Sequence, residues 1–445
     1  MLPKIIDLFS GCGGLTLGFE KAGFDIVAGI ELMQAACQTI TYNLDYRYGR
    51  SQTHICGDIR DIDPQVFREK TENENCIVIG GPPCQAYSIA GRAKLRSLGE
   101  DRIITRDSRG YLYQDFLRFV YELNASAVVM ENVPESTNFG GTNIPEVVCE
   151  SLEEHGFNAC WTILNAADFG VPQIRERVFV MGVRSDLGIE IKLPVPTHFS
   201  EEGYQPANQK RLNSFSKLKH FIIPNSTQDA VSPWVTVGEA FSDLPVLFPS
   251  SDSKYRLVKL NEELDYKCGP QNAYQRKMRN WYGMESLCSS ANAFRNTRRD
   301  FPIFEKMKQG DNYINASKIA DDLFETEAKV FGFKPGSPEY IKLRKKMVPV
   351  YDRDKFERKW VKLSENRPSH TLVAHLSKDT YSHIHPVEPR GISVREAARI
   401  QSFPDDFFFD CSMSDAFEQI GNAVPPLLSL AVANSVAEAF KENLK

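Results

Sequence analysis

A short apolar run, Cys76-Ile77-Val78-Ile79, stops at two glycines and two prolines, Gly80-Gly81-Pro82-Pro83, with a thiol, Cys84, just beyond. The run is rich in β-branched residues, which predicts a buried strand, and the Gly-Pro cluster ends it abruptly. In an open α/β sheet, ligands bind at the carboxyl ends of the strands. A thiol held there behind a rigid Pro-Pro entry is a candidate nucleophile. Taken alone, a small buried hydrophobe is the better account of it, since that is the commoner fate of a cysteine.

The 445 residues are too many for one compact core and predict two or three domains. The start, Met1-Leu2-Pro3-Lys4-Ile5-Ile6-Asp7, lacks the pattern of a secretory signal. No uninterrupted apolar stretch approaches the ~20 residues of a membrane span, so a cytoplasmic protein with no membrane partner is expected. The 10 cysteines are scattered without a Cys-x-x-Cys pair, and only Cys56 has a histidine close by, His54, so no metal site is expected. The net charge of -5 is unevenly spread: Ser251 to Trp360 holds 23 basic against 16 acidic residues, or +7, which leaves -12 elsewhere. A basic segment on an acidic body is as consistent with a solvated surface as with a phosphate-binding one.

Lys4 to Leu8 reads as a strand running into Phe9-Ser10-Gly11-Cys12-Gly13-Gly14-Leu15-Thr16, a glycine-rich turn opening a helix. This is the first βα unit of a nucleotide-binding sheet. It lacks the Gly-Lys-Ser/Thr ending of a P-loop, and Thr16 stands where Gly-x-Gly-x-x-Gly needs its third glycine. A second strand, Phe24 to Ile30, ends at Glu31, twenty residues past Gly11, where an acid accepts ribose hydroxyls. A third, Thr53 to Cys56, ends in Gly57-Asp58-Ile59, a carboxylate for an adenine amino group with an apolar neighbour. An adenosine cofactor without phosphate suits this set better than a dinucleotide.

The run from Ser88 to Arg109, with Arg92 among six basic residues, has no periodicity and reads as a mobile basic lid. Tyr111 to Leu123 is predicted helical and Ala127 to Met130 a fifth strand, ending in Glu131-Asn132. Cysteine and glutamate on one sheet edge suit a nucleophile and an acid. A helix over Ile144 to His155 and strands over Ala159 to Leu164 and Arg177 to Met181 follow. If their connection is extended, Gln173, Arg175 and Arg177 share a face, where two guanidiniums meet a carbonyl, a phosphate or Glu131; a solvated turn accounts for them equally well.

Taken together and in order, Asp7 to Phe19, Gly80 to Ser88, Glu131-Asn132-Val133, Gln173 to Arg177, Arg390 to Asp405 and Gln419 to Pro426 resemble six motifs of the DNA cytosine-5 methyltransferases of bacterial restriction-modification systems, nearly end to end. The resemblance implies a doubly wound, Rossmann-like α/β sheet that binds S-adenosylmethionine, with a smaller target-recognition domain inserted. Catalytic residues 1–185, a recognition domain with linker over 186–385 and a return segment over 386–445 are expected. It assigns the cofactor to Phe9, Gly11, Gly13, Gly14, Leu15, Glu31, Leu32, Asp58, Ile59, Pro82 and Asn422, and DNA contacts to Gln85, Ser88, Arg92, Arg276, Arg279 and Arg298. Leu32 and Met33 stand where the family often places an adenine-stacking aromatic, which leaves that contact to Phe9.

The implied chemistry has Cys84 attack carbon 6 of a flipped-out cytosine, Glu131 act at ring nitrogen 3, and Arg175 and Arg177 stabilise charge at the carbonyl oxygen. A stand-alone monomeric bacterial enzyme acting on double-stranded DNA and paired with a restriction endonuclease is what the resemblance implies. The transfer-RNA branch of the family is the nearest alternative, disfavoured by the roughly 200 residues between the eighth and ninth motifs. A silent DNA-binding regulator is opposed by the intact Cys84, Glu131, Arg175 and Arg177, and a redox or metal protein by the lack of paired cysteines.

Overall fold

The computed structural model describes residues 2–47, 49, 53–71, 75–83, 112–201, 209–248, 257–350 and 359–442. They form two compact units, Met1–Trp234 with Ala423–Lys445, and Val235–Asn422.

The first unit is built on a seven-stranded sheet of β1 (Lys4–Leu8), β2 (Ile26–Glu31), β3 (Thr53–Cys56), β4 (Cys76–Gly80), β5 (Ala127–Asn132), β6 (Phe157–Asn165) and β7 (Glu176–Arg184), in the spatial order 3-2-1-4-5-7-6. β1 to β5 are parallel and β7 runs antiparallel between β5 and β6. β4 and β5 are buried at every residue, as the apolar runs Cys76 to Ile79 and Ala127 to Met130 require of central strands. The helices α1 (Gly14–Lys21), α2 (Gln34–Thr41), α3 (Leu112–Glu122) and α4 (Ile144–Glu154) cover the faces. The strand order reverses between β1 and β4, so the loops leaving these two strands diverge and open a crevice, the place where open α/β sheets take their ligands.

The C-terminal helix Pro426–Glu442 returns to this unit and packs on α1, where the Ser429 hydroxyl donates to the Leu15 carbonyl at 2.6 Å. Residues 209–234 belong here too. Trp161 on β6 packs on Phe215 and Phe221 with ring centroids 5.2 and 4.6 Å apart, and the Trp234 indole donates to Asp168 at 2.9 Å. Those contacts put the division at Trp234/Val235, well past the expected 185/186. The stretch Met413–Glu442 has the length and apolarity of a membrane span, which the sequence was not expected to hold; it is two helices, Met413–Asn422 and Pro426–Glu442, and its most apolar 18-residue window is 67% buried in the protein.

The second unit packs around Phe294, Phe301, Phe304, Tyr313 and Trp360. It also buries the charges of the 390–405 segment. Arg390 holds Glu396 at 2.7 and 2.8 Å, and Arg399 bridges Asp405 and Asp243, all fully buried. That network ties helix Val394–Ile400 to residue 243, which is why 386–422 groups with this unit and only Ala423 onward with the first.

Candidate active site

The residues singled out in the sequence meet at the carboxyl edge of the first unit's sheet. Glu131 lies within β5, near its end, and a full two-residue extension of that strand beyond the expected Met130 pairs Glu131 with Phe179 of β7. Because β7 runs antiparallel, its first residues arrive at the same edge. There Arg177 Nε sits 2.9 Å from Glu131 Oε1, and the Arg177 Nη1 donates to the Glu176 carbonyl at 2.6 Å.

Arg175 is buried beside them; its backbone N–H donates to Asn165 Oδ1 at 3.2 Å and its Nη2 to the Ala423 carbonyl at 3.1 Å. Burial raises the Glu131 pKa; Arg177 first, then Arg175, pull it back. The net direction is upward, toward a carboxyl that keeps or returns a proton.

The chain leaving β4 passes in front of this carboxyl. A Cβ at Gly81 would stand 3.0 Å from Glu131 Oε2, so glycine there keeps the approach open. The next carbonyl, on Pro82, accepts from Asn132 Nδ2 at 3.4 Å. Asn132 thus holds the Gly-Pro segment against β5, a role sequence reasoning missed although the residue stands within the quoted motif. Cys84, Gln85, Ser88 and Arg92, and the expected lid, lie outside the described residues.

On the other side of the crevice, Glu31 ends β2 and accepts from the Gly11 amide at 2.8 Å and the Met33 amide at 2.7 Å. Burial raises its pKa while these amides lower it. Two amides fix the carboxylate and leave it acceptor capacity for a diol. Gly11 has φ +56° with nothing within 4 Å of where a Cβ would stand, so the space before the turn is open. These features fit an adenosine cofactor. Phe9 is half-buried against the core, Gly13 and Gly14 open α1, Leu15 is buried behind them, and Leu32 and Met33 are 65% and 37% exposed at the rim.

Asp58 follows β3 as expected but has a partner of its own. Its carboxylate accepts from the Arg60 amide at 3.0 Å and Nε at 2.9 Å, and these bonds hold its pKa down at about 2. An adenine amino group would share it with Arg60. Ile59 is buried, packed into the core.

Asp7, beneath the turn, was quoted but given no role. It is buried, accepts from the Thr16 hydroxyl, and has its pKa raised to about 7, chiefly by burial, with Thr16 opposing and Glu31 adding.

In the second unit, Asn422 is exposed at the end of its helix. Arg276 and Arg298 are exposed. Arg279 is buried: it stacks over Tyr266 at 3.8 Å from the ring centroid, donates to the Cys268 carbonyl at 3.1 Å and faces Asp243 at 3.5 Å, so its guanidinium is spent inside the unit.

Residues 3–438 match the family described as C-5 cytosine-specific DNA methylase. A protein of Oceanobacillus iheyensis, M.OihORF3336P, is 51% identical over 100% of this chain and 96% of its own length. The type II methyltransferases M.AgeI of Thalassovita gelatinovora and M.DdeI of Desulfomicrobium norvegicum are 32% and 30% identical, each over 98% of this chain and over 100% and 89% of their own lengths. A crystal structure of a prophage-encoded E. coli protein shares the fold with TM-score 0.63 at 23% identity, covering 99% of this chain and 100% of that one.

Proposed function

The chain belongs to the C-5 cytosine-specific DNA methylases and is a DNA cytosine methyltransferase, and from that premise we propose that it methylates carbon 5 of a cytosine within one specific double-stranded sequence, using S-adenosylmethionine. The observation that supports this most is the buried Glu131–Arg177 pair standing in front of Gly81, across the crevice from the amide-fixed Glu31.

Glu31 would take the ribose hydroxyls, the Gly11 turn and Phe9 the adenosine, and Asp58 the adenine amino group beside Arg60. When bound there, S-adenosylmethionine supplies a methyl group on a sulfonium centre. Cys84, two residues beyond Pro82, would attack carbon 6 as the thiolate. Glu131 would share its proton with nitrogen 3, so that the electrons released by the attack collect at carbon 5, where the methyl group is taken up. Arg177, steadied by the Glu176 carbonyl and with Arg175 behind it, would hold charge growing on the carbonyl oxygen. Loss of the carbon 5 proton to a base then expels Cys84 and restores the ring. Carbon 6 is shielded inside stacked DNA, so the cytosine has to swing out first, at a cost of a few kcal/mol.

The unit Val235–Asn422 would read the DNA sequence, Arg276 and Arg298 among its contacts, and Asn422 would join the cofactor by its motif. A monomer in the bacterial cytoplasm is part of the proposal, as is a restriction endonuclease of matching specificity, which the type II names of the relatives suggest.

The test is a duplex carrying 5-fluorocytosine at the methylated position, incubated with S-adenosylmethionine. Fluorine cannot leave as the proton does, so a denaturation-resistant adduct mapping to Cys84 is expected. An adduct that persists in Cys84→Ala excludes that nucleophile.

A further inference from the structure

The cofactor edge carries two thiols that methyl transfer does not use. Cys56 closes β3 in register with Glu31, and the next residue, Gly57, donates its N–H to the Glu31 carbonyl at 2.9 Å. The Cys56 thiol is exposed, 3.1 Å from Gln34 Oε1 and 3.9 Å from the Leu32 carbonyl. Gln34 begins α2, and Cys37 lies three residues on, on the same face, buried, with Cys56 among the groups that act on its thiol. The segments carrying these sulfurs also fix the site acids: Met33, at the cap of α2, holds Glu31, and the chain after Cys56 leads directly to Asp58.

Resting on the cofactor reading above, we propose that Cys37 and Cys56 close to a disulfide under hydrogen peroxide and that this closure weakens adenosine binding at Glu31. Attack starts at the exposed thiol, because burial, and then Cys56 itself, push the Cys37 pKa up to about 12. The Cys56 sulfur breaks the peroxide O–O bond, becoming a sulfenic acid and releasing water. The Cys37 sulfur then attacks it; the S–O bond breaks and the departing hydroxide takes the Cys37 proton as a second water. Two thiols lose two electrons and one peroxide becomes two waters.

To bond Cys37, the Cys56 sulfur gives up Gln34 and Leu32, and the new link pulls the end of β3 against α2 on both sides of Glu31. Cys149 and Cys160 are also neighbours, but both are buried, out of reach of an oxidant.

The test uses the full chain with Cys84→Ser, which removes a competing thiol, either reduced or treated with hydrogen peroxide. Peptides are mapped by mass spectrometry and S-adenosylhomocysteine binding is measured by calorimetry. A Cys37–Cys56 peptide lighter by two hydrogens is expected, with binding about tenfold weaker, or about 1.4 kcal/mol; dithiothreitol should reverse both, and Cys37→Ser should keep its affinity after peroxide. Absence of that peptide, or a linked protein with unchanged affinity, overturns the inference. If the reduced protein does not bind S-adenosylhomocysteine at all, the cofactor reading fails and the proposed coupling fails with it.

Discussion

Arg177 Nε lies 2.9 Å from Glu131 Oε1, with each side chain only about a tenth exposed. The pair joins the end of β5 to the start of β7 and biases the protonation of Glu131. Removing the guanidinium removes the first cation opposing burial, so the Glu131 pKa rises further. Arg177→Ala should lower kcat/KM for methyl transfer by roughly 10²–10³-fold, the usual cost of a lost charge-stabilising donor. The activity that depends on protonated Glu131 falls as pH rises through its pKa, so that limb should move to higher pH in the variant. A labelled-methyl assay across pH checks both; an unmoved limb contradicts the coupling.

Gly81→Ala places a methyl group 3.0 Å from Glu131 Oε2 without burying or exposing anything else. Activity should fall while the thermal midpoint stays within a degree or two, since the change perturbs a carboxyl and leaves the core alone. Equal loss of stability and activity would show that the glycine serves packing.

Asp7 makes stability depend on pH. Its pKa is 3.8 when unperturbed and about 7 in the fold, so the folded state holds the proton more tightly. The resulting stability is fully present below about pH 4 and is lost as pH rises through about 7, a swing of roughly 4 kcal/mol at 1.36 kcal/mol per pKa unit. Asp7→Asn keeps an acceptor for Thr16 and removes the swing. Urea unfolding at pH 5 and pH 8 should show the variant gaining on the parent at the higher pH; parallel values would contradict the shift.

Much of the first unit was legible in the sequence because buried parallel strands announce themselves as short apolar runs. β1 and β3 agree residue for residue, and the other strands differ by a few residues at their ends. Glu31 and Glu131 were expected at strand ends, where such a sheet takes its ligands, and both stand there. Which partner an exposed charge takes was not legible. Arg60, two residues after Asp58, turns back onto it, and nothing in the spacing tells that turn from a free carboxylate. Arg279 reads as one more cation in a basic run, and only the packing of Tyr266 and Asp243 around it makes it internal. The unit boundary was hidden for the same reason, resting on Trp161 and Arg399, whose partners lie far along the chain.

The two arginines of helix Ala273–Arg279 should therefore behave oppositely. Arg279→Ala leaves Asp243 with one guanidinium fewer and should cost about 3 kcal/mol in unfolding free energy. Arg276→Ala, at an exposed position, should change stability by less than about 0.5 kcal/mol, yet weaken DNA binding and lower the salt slope by about one. Calorimetric melting and fluorescence anisotropy at several salt concentrations separate the two.

The most direct measurement of the proposed chemistry is the nucleoside composition of unmethylated plasmid DNA after incubation with S-adenosylmethionine and either the parent chain or Cys84→Ala. The parent should yield 5-methyl-2′-deoxycytidine and the variant none. A methyl group on an exocyclic nitrogen, or undiminished 5-methylation by Cys84→Ala, would contradict attack by Cys84 at carbon 6.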